Sequence, residues 1–489
     1  MDLLILQLSH RLNFVTYDSH GTLKHQGWII DLYQKNDQMI VWLKQSDGTC
    51  VRIADQWKPT IDVSGNVEDL LDLSCQPFIS ACSFTQKFIQ PGDLKRSTVL
   101  EVEVRDEPHA KALARRVQLY GNYSKFRLYN VDVPFTQMYL YEKDLFPLAF
   151  VQAEYTSSNV QWTLRDSRDS VDYNLPEFRK IRLQVRTTKT NRIQKFSDEL
   201  DSVVMIRNDG EMLEVNSGDE CDKILKLVDV FHELDPDIVL TENGDSFIFP
   251  YLARRAQHNG IHDQLILDRE GIPLSVYETQ GHSYFSYGKI LYRQTAARLL
   301  GRLHIDEANA FFVNDCGLEG LFEVARTCII PIQRASRTTI GTSMTSLQLY
   351  NALKEDVLIP WNKNSPEEFK DGNELVVADR GGFIFEPKIG IHDSIGELDF
   401  SSLYPTIMLK RNLSGETVNC QCCPDSLLRV PELAFNICER WMGIVPRSLE
   451  ILLRKRMMYK RLKKNALDPP SRLGYDQRQA ALKWILVCS

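Results

Sequence analysis

No run of about 18 apolar residues occurs in this 489-residue chain, so nothing in it reads as a membrane-spanning helix. The start, "MDLLILQLSH", is apolar but short, and it has an acid where a signal peptide has basic residues. It reads as a first β-strand, and the chain as cytosolic. Repeats of about 20–50 residues and long low-complexity tracts are also missing. Positive charge is in deficit: 58 Lys and Arg against 65 Asp and Glu give a net charge of −7. Any surface for a polyanion therefore has to be local. Cysteines are few and scattered, except for Cys420, Cys422 and Cys423 in "CQCC", with Cys438 fifteen residues beyond. In a cytosolic chain this points to thiols rather than a disulfide framework. Zinc is the functional reading of that group. Zinc pairs are usually spaced C-x2-C or wider, however, and here two neighbours are adjacent, which favours reduced, partly buried cysteines.

What is present is the composition of an ordinary globular protein, 43% hydrophobic and 25% charged. The length calls for roughly three or four domains. Residues 1–155 look β-rich: "GWIIDLYQ", "QMIVWLKQ" and "STVLEVEV" alternate or run apolar between turn signals, and "EPHAKALARRVQLYG" is an amphipathic helix closed by Gly121. Residues 156–340 alternate strands such as "KIRLQVRTT", "DSVVMIRNDG" and "DPDIVLTENG" with helices such as "KILKLVDVFHEL" and "FPYLARRAQHNG". The expected fold class is therefore α/β, an α+β multidomain chain. Residues 341–446 contain a glycine-punctuated strand, "RGGFIFEPKIGIHDSIGELDF". Residues 447–489 are basic and helical.

The stretch "ELDFSSLYPTIM", Glu397 to Met408, is the least ordinary in the chain. "SIGEL" reads as a buried strand that leaves Asp399 at its exposed end. Ser401 and Ser402 then favour a turn, and Pro405 suits the first turn of a new helix, where its missing N–H costs nothing. Free backbone N–H groups at such a turn can hold phosphate oxygens, and a carboxylate beside them suits Mg2+. The plainer reading is a structural Asp capping a helix, and local physics leaves both open. Between Arg447 and Lys483 stand eleven Lys and Arg against three acids, Glu450, Asp468 and Asp476. Pro446, Ser448 and Glu450 mark a helix start, and Leu449, Leu452 and Leu453 form its apolar face. Arg456 and Lys460, four apart, can grip one phosphate group. "DPPSRLGY" breaks the helix, and a second one carrying Arg478 and Lys483 makes an antiparallel hairpin. A merely solvated charged hairpin is the plainer alternative.

These residues resemble the family B DNA polymerases. "DFSSLYPTIM" is similar to that family's first catalytic motif, and "NLSGET" to the segment after it. "DRGGFIFEP" resembles the Gly-Gly turn before the palm, with Asp379 where a Tyr is usual. "LLRKRMMYK" resembles the fingers helix, and "RQAALKWILVCS" the start of the second polymerase motif. "DPDIVLTENGDSFIFPYLARRA" and "GRLHID" resemble parts of the exonuclease domain. The resemblance is collinear over residues 180–489 and weak before 150. It implies a β-rich N-terminal domain (1–155), an RNase H-like exonuclease-type domain (156–340), a linker and partial palm (341–446) and helical-hairpin fingers (447–489). It implies that Asp399, with the Phe400 carbonyl, binds two Mg2+ ions, and that the Ser401, Ser402 and Leu403 amides hold the triphosphate. Tyr404 would lie under the sugar, and Arg456, Lys460 and Lys483 would neutralise the triphosphate. The partners implied are primer-template DNA and dNTPs, with no membrane.

Three departures qualify this. Gln184 and Arg186 stand where the exonuclease needs its Asp-x-Glu pair, and Ile248 stands where the second exonuclease motif has an Asp. No third motif occurs between Asp306 and Ser336. The expectation is an exonuclease fold without proofreading, hence an error-prone or repair-related enzyme. Val487 and Cys488 stand where the second polymerase motif has Asn-Ser, as in a divergent branch. The family's Asp-Thr-Asp motif, which carries the second carboxylate, does not occur, and the uncapped apolar end "ALKWILVCS" is expected to pack on something the chain lacks. The leading expectation is the front part of a polymerase, truncated or split, inactive alone and completed by a second polypeptide with the remaining palm and thumb. The rival is a noncatalytic nucleic-acid-binding or regulatory subunit derived from a polymerase.

Overall fold

The computed structural model describes residues 24–155, 159–188, 194–275, 282–286, 289–293, 296–362, 369, 371–378, 384–433 and 435–488. The strand expected at residues 1–10, Asp379 and its Gly-Gly turn, and Ser489 lie outside these. Alternating apolar residues build a five-stranded antiparallel sheet in the order Cys50–Gln56, Gln38–Lys44, Lys24–Lys35, Phe150–Tyr155 and Val160–Leu164. A four-stranded sheet follows, ordered Cys82–Lys87, Ser97–Glu103, Thr60–Ser64 and Arg127–Tyr129. The Glu107–Tyr120 helix begins where the Asp106 carboxylate accepts from the His109 N–H at 2.7 Å, and it ends at Gly121, as its sequence signals require. Its Ala110, Leu113, Ala114 and Val117 close the core beside both sheets.

A third sheet runs in the order Met212–Val215, Leu200–Arg207, Lys180–Thr187, Ile238–Thr241 and Leu303–Asp306. Three strands are antiparallel and the last two run parallel to the Lys180–Thr187 strand. Parallel neighbours need crossovers, here through the Glu220–Leu234 helix and, further on, the Phe249–His258 helix. This is the RNase H-like layer expected. Its strand Lys180–Thr187 alternates strictly, with Ile181, Leu183, Val185 and Thr187 buried and Gln184 and Arg186 exposed.

Three later helices share one core with the back of the first sheet. A kinked helix, Phe311–Cys328, turns at Gly317 (φ 64°, ψ −177°), a conformation open essentially to glycine alone. A long basic helix, Ile444–Asn465, and a return helix, Pro469–Val487, lie against it through Leu321, Leu449, Leu452, Ala481, Leu482 and Ile485. The two are antiparallel, since Lys463 pairs with Asp476 while the earlier Tyr459 reaches the later Arg478. Three expectations are corrected. The basic helix starts at Ile444 after Gly443, because Ser448 is not a cap: its hydroxyl donates to the Ile444 carbonyl at 2.7 Å, inside the helix. The return helix starts at Pro469, because Asp468 caps it through the Ser471 N–H at 2.8 Å and a first-turn proline costs nothing, so "PPSRLGY" is helical. The apolar face of "ALKWILV" is covered by this chain's own kinked helix, with Trp484 set edge-on to Phe311 at 5.3 Å. No helix among the described residues is long and apolar enough to cross a membrane.

Candidate active site

The Asp399 stretch differs from its expected form. Residues 384–400 are irregular and exposed, with no ladder partner among the described residues, so "SIGEL" is not a buried strand. A strand exists only through its neighbour, and an apolar run alone does not supply one. Asp399 itself is exposed, as is Phe400. The turn after it is as the sequence requires. Ser402 adopts a left-handed conformation (φ 52°, ψ 59°) at the head of the short helix Leu403–Lys410. Its carbonyl accepts from the Thr406 N–H at 2.9 Å, and the Thr406 hydroxyl donates to the Ser401 carbonyl at 3.1 Å. Pro405 is buried in the first turn, whereas Tyr404 is 61% exposed.

The basic hairpin brings its cations to this turn. The Arg456 guanidinium donates through Nη1 to the Ser402 hydroxyl, while its buried Nε has no partner. Burial holds Arg456 below its ordinary pKa. Burial, and then the charges of Arg456 and Lys483, press Lys460 down, with Asp399 opposing. Arg456, Lys483 and Asp399 therefore each lie within electrostatic reach of Lys460. Two helices and one turn converge on a spot with surplus positive charge, which an anion would relieve.

Other basic residues of the hairpin are committed elsewhere. Arg447 pairs with Glu355, Arg454 with Asp169 at 2.6 Å, Lys463 with Asp476 at 2.7 Å and Arg478 with Glu319 at 2.7 Å. Arg478 is thus a clamp to the kinked helix rather than a phosphate ligand. The sequence reading missed the most constrained of them. Lys455 and Glu323 are both fully buried and pair at 2.7 Å, and Glu323 also accepts from the hydroxyls of Tyr459, Tyr173 and Thr327, each at 2.7 Å. Burial alone would raise the Glu323 carboxyl; Lys455 and the hydroxyls outweigh it and leave it below its ordinary range. The signal was there: Leu452, Lys455 and Tyr459 follow the apolar period, so Lys455 had to point inward.

On the RNase H-like sheet, Gln184, Arg186 and Ile248 gather around one cavity of about 370 Å³, with Glu242, Asn243 and Phe247 also in its wall. Arg186 pairs with Glu214 at 2.9 Å, and Ile248 faces the core. Asn243 is left-handed (φ 66°) and opens the wide turn Gly244–Ile248. Next to it Asp245 is a structural acid, held by Arg337 at 2.7 and 2.9 Å. Among the described residues, the only group of three or more metal-ligating side chains gathered in space consists of cysteines, not carboxylates.

Comparison with known proteins gives the following. The sequence model of DNA polymerase family B matches residues 330–488. "DNA polymerase 1" of Pyrococcus abyssi is 26% identical over 404 residues, covering 73% of this chain and 49% of that protein. The DNA polymerase of Thermococcus sp. (strain 9oN-7) is 24% identical over 518 residues, covering 88% of this chain and 62% of that one. The chain thus spans about half the length of the curated relatives it matches. The solved family B DNA polymerase from the hyperthermophilic archaeon Pyrobaculum calidifontis has a similar fold, with a TM-score of 0.69 at 18% identity over 95% of this chain and 67% of that one.

Proposed function

We propose, from the premise that this chain is a relative of the family B DNA polymerases, that it supplies the nucleotide-binding side of a DNA-directed DNA polymerase site. The observation that carries this reading is the hydrogen bond from Arg456 to the Ser402 hydroxyl, with Lys460 in electrostatic reach of Arg456, Lys483 and Asp399. A dNTP triphosphate matches three cations and the turn amides of Ser401–Leu403. Tyr404, exposed next to that turn, would lie under the sugar. The transfer forms a bond from the primer 3′-oxygen to the α-phosphorus and breaks the bond to the β-phosphate oxygen, so pyrophosphate leaves. Asp399 and the Phe400 carbonyl are hard oxygen donors of the kind Mg2+ takes, and an ion held there would supply Lewis-acid stabilisation of the phosphoryl oxygens. A family B site uses two such ions and a further carboxylate. No Asp-Thr-Asp occurs in these 489 residues, so they do not supply that acid in the family's own motif.

We divide the chain at about residues 340 and 446, and move the first boundary from 155 to past Leu164, because Val160–Leu164 pairs with Phe150–Tyr155 in the first sheet. The cavity at Gln184, Arg186 and Ile248 supports an exonuclease-type domain without proofreading, since guanidinium and alkyl groups hold no Mg2+ and a neutral amide stands in place of a carboxylate. That makes the enzyme error-prone or repair-related. The test is Mg2+-dependent binding of a dNTP to the full chain. Arg456→Ala and Lys460→Ala should each weaken it by about tenfold or more, the cost of one charged hydrogen bond, while duplex DNA binding persists. Unchanged dNTP affinity in both variants overturns the reading and favours a noncatalytic nucleic-acid-binding subunit. Mg2+-dependent digestion of single-stranded DNA from its 3′ end overturns the exonuclease assignment.

A further inference from the structure

The cysteines at 420–438 are gathered far more tightly than their sequence spacing suggests. Cys422 Sγ lies 3.6 Å from each of the Cys420, Cys423 and Cys438 sulfurs, and Cys423 lies 3.9 Å from Cys438. All four sulfurs fall within 4.8 Å of one another. A disulfide needs about 2.0 Å, and all four are free thiols. Four sulfurs placed tetrahedrally around one ion at a Zn–S distance of about 2.3 Å stand about 3.8 Å apart. Four of the six sulfur pairs stand at 3.6–3.9 Å, and the other two within 4.8 Å. An iron–sulfur cluster would have to fit several iron and sulfide atoms between the thiolates, and sulfurs this close leave room for one ion. We propose that Cys420, Cys422, Cys423 and Cys438 form a structural site for a single Zn2+ ion.

The adjacent pair, which counted against zinc in the sequence, is accommodated by local backbone. Gln421 and Cys422 lie in a turn, so Cys420, Cys422 and Cys423 direct their sulfurs to one point. Cys438 is brought to that point by an antiparallel bridge between Val418 and Ile437, with the Cys438 N–H on the Thr417 carbonyl at 2.8 Å. Asn436 ties the loop from behind: its Nδ2 donates to the carbonyls of Cys420 and Cys423 at 3.0 and 2.8 Å and contacts the Cys420 sulfur at 3.4 Å. Such outer-shell donors orient thiolate ligands and offset their charge. Cys422 and Cys438 are buried and Cys420 and Cys423 half-buried, so the ion would be shielded and its coordination closed, as in structural zinc sites.

The knuckle joins two parts of the candidate active site. Asn412, just past the Leu403–Lys410 helix, donates to the carbonyls of Cys438 and Trp441 at 3.0 and 2.8 Å and accepts from the Gly443 N–H at 2.8 Å. Glu416 and Ser414 accept from the first N–H groups of the basic helix, Ile444 and Val445, at 2.6 and 3.3 Å. A metal here would fix the start of the helix that carries Arg456 relative to the turn that carries Asp399.

The test reads metal rather than DNA synthesis, so it stands or falls apart from the polymerase proposal. The full chain, purified under reducing conditions from zinc-supplemented medium, is measured by elemental analysis and by alkylation mass spectrometry. About one zinc per chain is expected. The four cysteines should resist alkylation until a chelator is added, while exposed Cys75, Cys82 and Cys488 react at once. Cobalt exchanged into the site should give the absorption bands of a tetrahedral Co2+ thiolate. Cys422→Ser should lose about tenfold or more of the zinc; if that variant does not fold, the alkylation result on the unmodified chain decides alone. Zinc below about a tenth of an equivalent, iron with inorganic sulfide, a disulfide within the group, or immediate alkylation of all four each overturns the proposal.

Discussion

Glu323→Gln isolates the charge in the buried pair while keeping its shape. It leaves Lys455, with no exposed surface, facing a neutral amide oxygen in place of the carboxylate, beside the Thr327 hydroxyl at 3.0 Å and the Arg168 carbonyl at 2.8 Å. Breaking a buried pair from one side costs about 3–5 kcal/mol. The lysine has an escape, which is to deprotonate, and this caps the charge cost at about 1.4 kcal/mol per pH unit below its ordinary pKa of about 10.4. The cap is about 4 kcal/mol at about pH 7.5 and about 2 kcal/mol at about pH 9. Burial already holds Lys455 below its ordinary value even with Glu323 present, so this escape is within reach. The expected result is therefore a destabilisation of about 3–4 kcal/mol near pH 7.5 that roughly halves by pH 9. Glu323→Gln combined with Lys455→Met should recover most of it. Because the chain has several cores, the assay is hydrogen exchange of amides in the Ile444–Asn465 helix, which reads local opening. A cost below about 1 kcal/mol, a cost independent of pH, or a double variant no better than the single one would refute the reasoning.

His304 provides a second pH effect of known sign. Burial, followed by the charge of Arg337, holds its pKa down to about 3, whereas in the unfolded chain it protonates near 6.5. Its share of stability is whole above pH 6.5 and is lost as pH falls from there toward about 3, at about 1.4 kcal/mol per unit. Denaturation midpoints measured between pH 7 and 5 should show that slope, and His304→Gln should flatten it; an unchanged slope rejects the assignment. Gly317→Ala places a side chain at φ 64°, ψ −177°, with its Cβ 2.4 Å from the Gln477 amide nitrogen. The Gln477 side chain can swing away but the backbone strain stays, so a cost of about 1–3 kcal/mol is expected, read as a lowered melting temperature. A variant as stable as the parent would show that the kink does not need glycine.

The sequence made the layers legible where the period was local. The Lys180–Thr187 strand alternates over its whole length, and the Glu107–Tyr120 helix carries both its end signals, so each was readable without its neighbours. The Arg456–Lys460 spacing was equally local. What failed depended on distant partners. "SIGEL" has a strand's composition, but nothing in a linear sequence states whether another strand lies beside it. "ALKWILV" looked uncovered because its cover, the Phe311–Cys328 helix, lies about 160 residues earlier. The four cysteines looked ill-spaced because the bridge between Val418 and Ile437, which closes the group, is a contact across a loop.

Lys455 and Arg456 are consecutive on one helix, one keyed into the interior and the other aimed at the Ser402 turn. Successive residues on a helix differ by about 100° around its axis. Rolling the helix to swing Arg456 would drag the lysine out of its socket, so axial rotation is blocked like a shaft held by a key. The helix can still tilt bodily, carrying the Phe311–Cys328 helix with it, or the arginine can change rotamer at its tip. Any movement of Arg456 is thereby confined to those two.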